Sequence, residues 1–440
     1  MACRVWMVAA AVLAAAWPVF AQQNRIDAIT PMAPERAAYG TLPVGVLTIT
    51  ATDRGRADVL STKEGGSIAR HDRTLTIEVW YPAVPAEGQP AGCEYRTAAR
   101  DPSRTAILYG RAVRSAPPAA AAGGYPLVIL SHGYPGNRYL LGHLGENLAS
   151  KGFVVASIDH PDSTYDDLKE FASTLYNRPY DQLFVLDELD RLSRRGSGSV
   201  LAGLVDASRT AIVGYSMGGY GLLNVLGAGF TEKSVTASNA PPNRLLFERA
   251  ASNPAYPKHA DPRIKAAIAI APWGWPAGTW DAAGLSAITT PILFVAGSAD
   301  DVSGYERGTR AMFLGTTRAD RYLLTFLGGS HNVGAPIPAP DEAYQYSEAL
   351  RAFPFMHYAD PVWDSVRSNN ILQHFATVFL SVHLKGERDA QAFLDLVPQG
   401  SDGVYAVERD GRQKPEYTYW KGFKPRTAAG LVLERLRPGL

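Results

Sequence analysis

Apolar and polar residues alternate over residues 44–50 and 75–81. A period of two puts one face on a core and the other in water, so both runs predict antiparallel strands that open a sheet. The pattern then changes. Residues 127–130, 154–158, 211–213, 266–270 and 292–295 are short, nearly continuous apolar runs. Strands covered on both faces read this way, as in a parallel sheet between layers of helix. Helical spacing recurs between several of them, over residues 139–150, 181–194 and 217–227, and this alternation predicts a doubly wound α/β sheet. Residues 322–326 are expected as the last strand. Residues 362–385 are expected as a long closing helix, with Phe375, Val378, Phe379 and Val382 at helical spacing.

Three stretches interrupt the pattern. Residues 82–124 are rich in Pro, Ala and Gly and read as a surface loop. Residues 234–263 hold five prolines and little periodicity, at a point where a cap over an active site would arise. Residues 334–361 form another long loop with Pro336, Pro338, Pro340 and several aromatics, and long ordered loops tend to be functional. The tail from about residue 400 carries Tyr417, Tyr419, Trp420 and Phe423, and is aromatic enough to pack back on the domain. No internal repeat is visible. A single domain over residues 22–440, with these insertions, accounts for the pattern.

Chemistry concentrates at strand ends. Gly214-Tyr215-Ser216-Met217-Gly218-Gly219 follows one apolar run and precedes a helical stretch. That is the context of a G-x-S-x-G nucleophile elbow. A strand that turns sharply into a helix holds Ser216 in a strained conformation, and flanking glycines remove the Cβ atoms that would clash. A serine hydroxyl is a weak nucleophile and needs a base oriented by an acid. In this class of elbow the order along the chain is Ser, acid, His. Residues 292–295 run into Gly297-Ser298-Ala299-Asp300-Asp301-Val302, which offers Asp300 as the acid with Asp301 as a competitor. The following strand ends in Gly328-Gly329-Ser330-His331, and of nine histidines only His331 follows both Ser and acid in a strand-end turn. Acyl transfer also needs two N–H groups aimed at the developing oxyanion. Met217, after the nucleophile, supplies one. Tyr134, in the loop Ser131-His132-Gly133-Tyr134-Pro135-Gly136, is the expected second, since Pro135 has no N–H to give.

These motifs resemble the α/β-hydrolase superfamily, and within it the bacterial dienelactone-hydrolase-like and platelet-activating-factor-acetylhydrolase-like proteins. The resemblance rests on Pro43-Val44-Gly45, Thr52-Asp53-Arg54, Glu78-Val79-Trp80-Tyr81-Pro82, Pro126 through Gly133, and Leu148 through Val155. It covers residues 43 to 331. It implies an α/β-hydrolase fold: a mostly parallel central sheet flanked by helices, with a cap-like insertion. It also implies Ser216, Asp300 and His331 as a triad and Tyr134 and Met217 as the oxyanion hole, with no metal and no organic cofactor. Dienelactone hydrolases proper carry Cys at the elbow, so Ser216 argues against that particular activity. Secreted polyester hydrolases are similar in carrying Pro-Trp after the corresponding strand, here Pro272-Trp273. Trp273 is accordingly expected either to stack on substrate or to pack beneath a cap. The expected substrate is a small-molecule or lipid-like ester, polyester included. Rival readings are an amidase or peptidase on the same residues, or a catalytically silent ligand-binding protein of this fold.

Bulk properties narrow the setting. The 440 residues hold 43 basic and 42 acidic side chains, which leaves no net-charge signature for nucleic acid or an anionic membrane. Arg4, an apolar run over residues 5–19 and Val19-Phe20-Ala21 read as a signal peptide over residues 1–21, so a secreted or periplasmic protein is expected. The run is shorter than the roughly 20 residues a membrane span needs. Cys3 would leave with it, making Cys93 a lone thiol at the surface or half-buried.

Overall fold

The computed structural model describes residues 24–89 and 92–439. The apolar leader, its cleavage point at Ala21 and Cys3 lie outside the described residues. Twelve strands are described: β1 (Val44–Ala57), β2 (Arg70–Pro82), β3 (Cys93–Ala98), β4 (Thr105–Gly110), β5 (Val113–Arg114), β6 (Tyr125–Ser131), β7 (Val154–Asp159), β8 (Val205–Tyr215), β9 (Ile264–Ile270), β10 (Ile292–Gly297), β11 (Arg321–Phe326) and β12 (Leu431–Leu436). Ten of them form one sheet in the order β12-β11-β10-β9-β8-β6-β7-β2-β1-β5. The run from β11 to β7 is parallel, and β1, β2 and β12 pair antiparallel at the two sides. From β6 the chain steps to β7 on one side and then to β8 on the other. This places the switch point, where ligands bind in open α/β sheets, between β6 and β8.

The continuous apolar runs resolve into two cores. In β6, Val128 and Leu130 face one core with α1 (Gly142–Ala149) and α7 (Ser365–Leu380), while Leu127 and Ile129 face the other with α2 (Phe171–Ser193) and α3 (Met217–Val225). Shorter helices α4 (Glu232–Val235), α5 (Ala282–Ser286) and α6 (Arg310–Gly315) fill the connections. Among the described residues no helix is long and apolar enough to cross a membrane.

Several elements depart from the sequence pattern. The helix expected from Asp181 begins ten residues earlier, at Phe171, and runs through Pro179. Proline removes the bond to the carbonyl four residues back, here that of Leu175. The Tyr220 hydroxyl of α3 donates to that carbonyl at 3.0 Å, so the orphaned group is satisfied and the helix continues. The stretch expected as a loop over residues 82–124 contains the hairpin β3–β4. Tyr95 anchors it, accepting from Trp80 Nε1 at 2.9 Å and donating to the buried Glu146. Cys93, expected at the surface or half-buried, is buried in this hairpin. The closing helix ends at Leu380 and continues as a wider turn over Ser381–Lys385.

The last strand is β12, not β11. The tail returns and pairs Leu431 with Phe326 and Leu436 with Arg321. This covers the open N–H and C=O row that β11 would otherwise present as an edge. Trp420 pins the return. It is fully buried, its ring lies against Phe375 and Phe423, and its Nε1 donates to the Val397 carbonyl at 2.7 Å. Burying a large apolar side chain contributes about 1.5–3 kcal/mol.

Burial also sets an acid response. His143 on α1 and His374 on α7 are pushed down to about 3 by desolvation, so both stay neutral in the folded chain. Between about pH 6.5 and pH 3 the unfolded chain binds protons at these rings and the folded chain does not. Stability is therefore expected to fall as pH falls through that window, by about 1.4 kcal/mol per pH unit for each such ring. Melting temperatures from about pH 7 down to about pH 4.5 check this, and His143→Leu should flatten the slope. A melting temperature that stays level over that range would mean that these rings are not buried and neutral.

Candidate active site

Ser216 sits between β8 and α3 with φ 53° and ψ −113°, a left-handed conformation unusual for a residue with a side chain. Its amide donates to the Ile270 carbonyl on β9 at 2.9 Å, and its own carbonyl accepts from the amides of Tyr220 at 3.0 Å and Trp273 at 3.1 Å. The elbow packs directly on β6. A Cβ at Gly218 would lie 2.0 Å from the Ser131 carbonyl oxygen, so only glycine permits this approach.

His331 and Asp300 complete a hydrogen-bonded series. His331 Nε2 is 3.0 Å from Ser216 Oγ, and His331 Nδ1 is 3.1 Å from both oxygens of Asp300. Asp300 Oδ1 also accepts from the amides of Val302 and Ser303, each at 2.9 Å. Burial pushes the Asp300 carboxyl up, but His331 and these two amides outweigh it and hold it below the usual carboxylate value. An ionised Asp300 only accepts, so His331 Nδ1 carries the proton and Nε2 is free to accept from Ser216. Asp301 is exposed and turned to the mouth of the site, which leaves Asp300 as the residue in contact with His331. The His331 ring rests on Tyr215, whose hydroxyl donates to Asn332 at 2.9 Å.

Met217 is the first residue of α3, so its N–H has no intrahelical acceptor. Tyr134 lines the same cavity from the β6 loop. The cavity has a volume of about 330 Å³, and Ser216, His331, Met356, His357 and Pro361 all contribute to its wall. An apolar cavity of about 390 Å³ elsewhere, between Met32, Ile371 and Phe423, contains no serine, histidine or carboxylate.

Two expectations change here. The insertion over residues 234–263 does not line the cavity. It packs on the outer side of α2, where Glu248 accepts from the hydroxyls of Tyr176 at 2.9 Å and Tyr180 at 2.6 Å. The cover comes instead from residues 356–361. Asn332 Nδ2 holds the carbonyls of Met356 and Ala359, each at 2.9 Å, and Asp360 accepts from Ser330 N at 2.6 Å. Trp273 is half-buried beside the site but outside the cavity wall. Its amide is fixed to Ser216, and its ring meets Phe171 at 5.4 Å and Tyr220 at 5.9 Å in an aromatic row behind Tyr134. Of the other tryptophans of that loop, Trp280 is buried against Tyr220, and Trp275 packs partly buried on the same core.

The sequence did not single out the polar groups beneath the β6 loop: Arg178, Asp181 and Gln182 on α2, with His132 and His160. All are buried. The available signal was their spacing, since positions i, i+3 and i+4 share one face of a helix. The expected helix start at Asp181 hid it.

The fold is that of the α/β-hydrolases, with a serine, a histidine and an aspartate in register at its strand ends. Residues 97–243, from the end of β3 past Ser216, match a family model described as PET hydrolase-like. The chain is similar to Cutinase 1 of Thermobifida cellulosilytica, with 28% identity over 189 residues, 41% of this chain and 49% of that protein. It is also similar to the bis(hydroxyethyl) terephthalate hydrolase of Streptomyces coelicolor, with 25% identity over 220 residues, 49% of this chain and 53% of that protein. The chain thus spans about half the length of the curated relatives it matches. Among solved structures, the ferulic acid esterase from Streptomyces cinnamoneus superposes with a TM-score of 0.52 at 22% identity, over 81% of this chain and 94% of that one.

A fluorophosphonate should label Ser216, and Ser216→Ala should abolish labelling. Asp300→Asn should slow the reaction by about 10⁴, the scale of losing the orienting carboxylate. Asp301→Asn should leave it near the parent rate. Mass spectrometry of the labelled peptide reads all three, and an inert Asp301 variant beside a fast Asp300 variant would reverse the two roles.

Proposed function

We propose that this chain is a serine hydrolase that cleaves carboxylic esters through an acyl-enzyme. The series Asp300–His331–Ser216 at an open cavity carries the reading. His331 Nε2 takes the hydroxyl proton as Ser216 Oγ attacks the ester carbonyl, while Asp300 orients the ring and stabilises its charged form. The amides of Met217 and Tyr134 receive the developing oxyanion. The alcohol leaves with the proton from His331. Water, deprotonated by the same nitrogen, then attacks the acyl group, and the acid departs with Ser216 restored. Similarity to proteins named cutinase and bis(hydroxyethyl) terephthalate hydrolase supports an ester rather than an amide, and puts polyester among the candidate substrates.

A panel of short acyl esters, an aromatic diester, a phospholipid, a polyester film and an anilide tests this. Ester turnover should exceed anilide turnover, and Ser216→Ala should lose about a million-fold on every active substrate. Anilide cleavage above ester cleavage would favour an amidase. On the same panel, Met356→Ala should shift the preference between bulky aromatic and short acyl esters by about tenfold, because a pocket contact is worth roughly 1–3 kcal/mol. Trp273→Ala should change all esters alike and lower the melting temperature. A selective shift from Trp273→Ala would place its ring on the substrate.

The apolar leader supports export with Gln22 as the first residue of the mature chain. N-terminal sequencing of protein recovered outside the cytoplasm checks this, and an intact Met1 in a membrane fraction would indicate an anchor.

A further inference from the structure

The two peptides that carry the expected oxyanion donors are held from behind in different ways. In a trans peptide the C=O and N–H point in opposite directions, so fixing one aims the other. The Ser216–Met217 peptide is held by main chain alone, through the Tyr220 and Trp273 amides on the Ser216 carbonyl. The Gly133–Tyr134 peptide is held by side chains. Arg178 Nη2 lies 3.4 Å from the Gly133 carbonyl, and His132 Nδ1 lies 2.7 Å from it. His132 Nε2 accepts from the His160 amide at 3.2 Å, so Nδ1 is the protonated nitrogen and donates. Arg178 Nη1 donates to the His132 carbonyl as well, and Nη2 reaches Ser163 Oγ at 2.7 Å.

The neighbouring side chain on α2 joins the two halves. Gln182 Nε2 donates to Ser131 Oγ on β6 and to the Gly218 carbonyl on α3, each at 2.9 Å. Ser131 in turn donates to His160 Nε2 at 2.9 Å, because His160 Nδ1 donates to Asp181 at 3.0 Å. Asp181 is fixed by Arg73 at 2.9 Å and Arg56 at 3.1 Å. The series Ser131–His160–Asp181 has the composition of a hydrolytic triad, but it is fully buried and serves as a brace. Gly221 leaves the room that α2 uses: a Cβ there would stand 2.7 Å from Arg178 Cγ and 3.0 Å from Gln182 Nε2.

We propose that Arg178 is a positioning residue for oxyanion stabilisation, aiming the Tyr134 N–H through the Gly133 carbonyl, and that Gln182 sets the spacing between the two donors. This rests on the ester-hydrolase reading of Ser216. Arg178 touches no cavity surface, so its effect reaches the reaction only through the loop it holds. Lysine carries the charge but lacks the fork that serves two carbonyls and a hydroxyl together.

The test compares the parent protein with Arg178→Lys, Arg178→Met and Gln182→Met. Removing one oxyanion donor costs about 10²–10³ in turnover. On that scale, Arg178→Met should lower kcat on a short acyl ester by about 100-fold and Arg178→Lys by about tenfold, with KM within a factor of about three. Two inhibitors with the same acyl chain separate positioning from general damage. A trifluoromethyl ketone forms a hemiketal oxyanion on the serine and should lose about tenfold or more in affinity; the matching ether has no carbonyl and should bind as before. If Arg178→Met does not fold, Arg178→Lys and Gln182→Met carry the same comparison. Unchanged kcat with a lowered melting temperature would overturn the proposal, as would equal losses for ketone and ether. A parent protein that hydrolyses esters and labels at Ser216 while the variants match it overturns only the positioning role. A parent that does neither overturns the ester-hydrolase reading and this inference with it.

Discussion

The backbone of Ser216 must stay in a left-handed conformation that costs of the order of 1–3 kcal/mol, and much of the surrounding structure acts to keep it there. The amide is tied to β9, the carbonyl is tied to α3 and to the loop after β9, and the next turn presses on the Ser131 carbonyl without a Cβ between them. Three strand ends are therefore brought together at one point. That point is also where the sheet reverses its winding direction, which leaves a crevice open above it. The same strain that is unfavourable for the chain lifts the hydroxyl into the crevice, within 3.0 Å of His331 Nε2.

Charge is buried beneath that point as well. Asp181 lies among Arg73, Arg56 and His160; burial pushes its carboxyl up, but these partners overcome that and hold it far below its usual range. Placing such a group inside a protein is favourable only when each polar atom has a partner, and removing one partner leaves an uncompensated charge. The network ties α2 to the loop after β6, which lines the cavity through Tyr134. A hydrophobic filling of the same volume would hold the layers together without fixing the direction of any peptide.

Access is governed by other segments. The residues after His331 return over the site and are fastened by Asn332 and Asp360, so the turn that carries His331 is tied directly to part of the cavity wall. The 234–263 insertion lies against α2 instead, through Glu248 and the hydroxyls of Tyr176 and Tyr180. Met356, His357 and Pro361 line the cavity beside Ser216, whereas Trp273 and Trp280 of the tryptophan-rich loop pack on Tyr220, and Trp273 also on Phe171.

The sequence alone determined the class of fold and singled out three side chains that the structure brings into contact. Runs such as 127–130 and 154–158, alternating with helical stretches, fit strands covered on both faces in a parallel sheet, and a glycine-flanked serine between a strand and a helix has few other uses. Ser216 was legible from the glycines that its strained turn requires, and His331 from its place in a strand-end turn after both serine and acid. Asp300 was preferred in the sequence but Asp301 stayed a competitor, since adjacent turn residues differ chiefly in which one points at a ring 31 positions away. The start of α2 was hidden because Pro179 breaks a helix unless something else takes the Leu175 carbonyl, and that something is Tyr220 from another helix. The edge strand β12, the direction of the 234–263 insertion and the α2 side chains beneath the β6 loop were likewise settled by contacts between distant segments. Periodicity records which face of an element is buried; only the tertiary structure decides what lies against it.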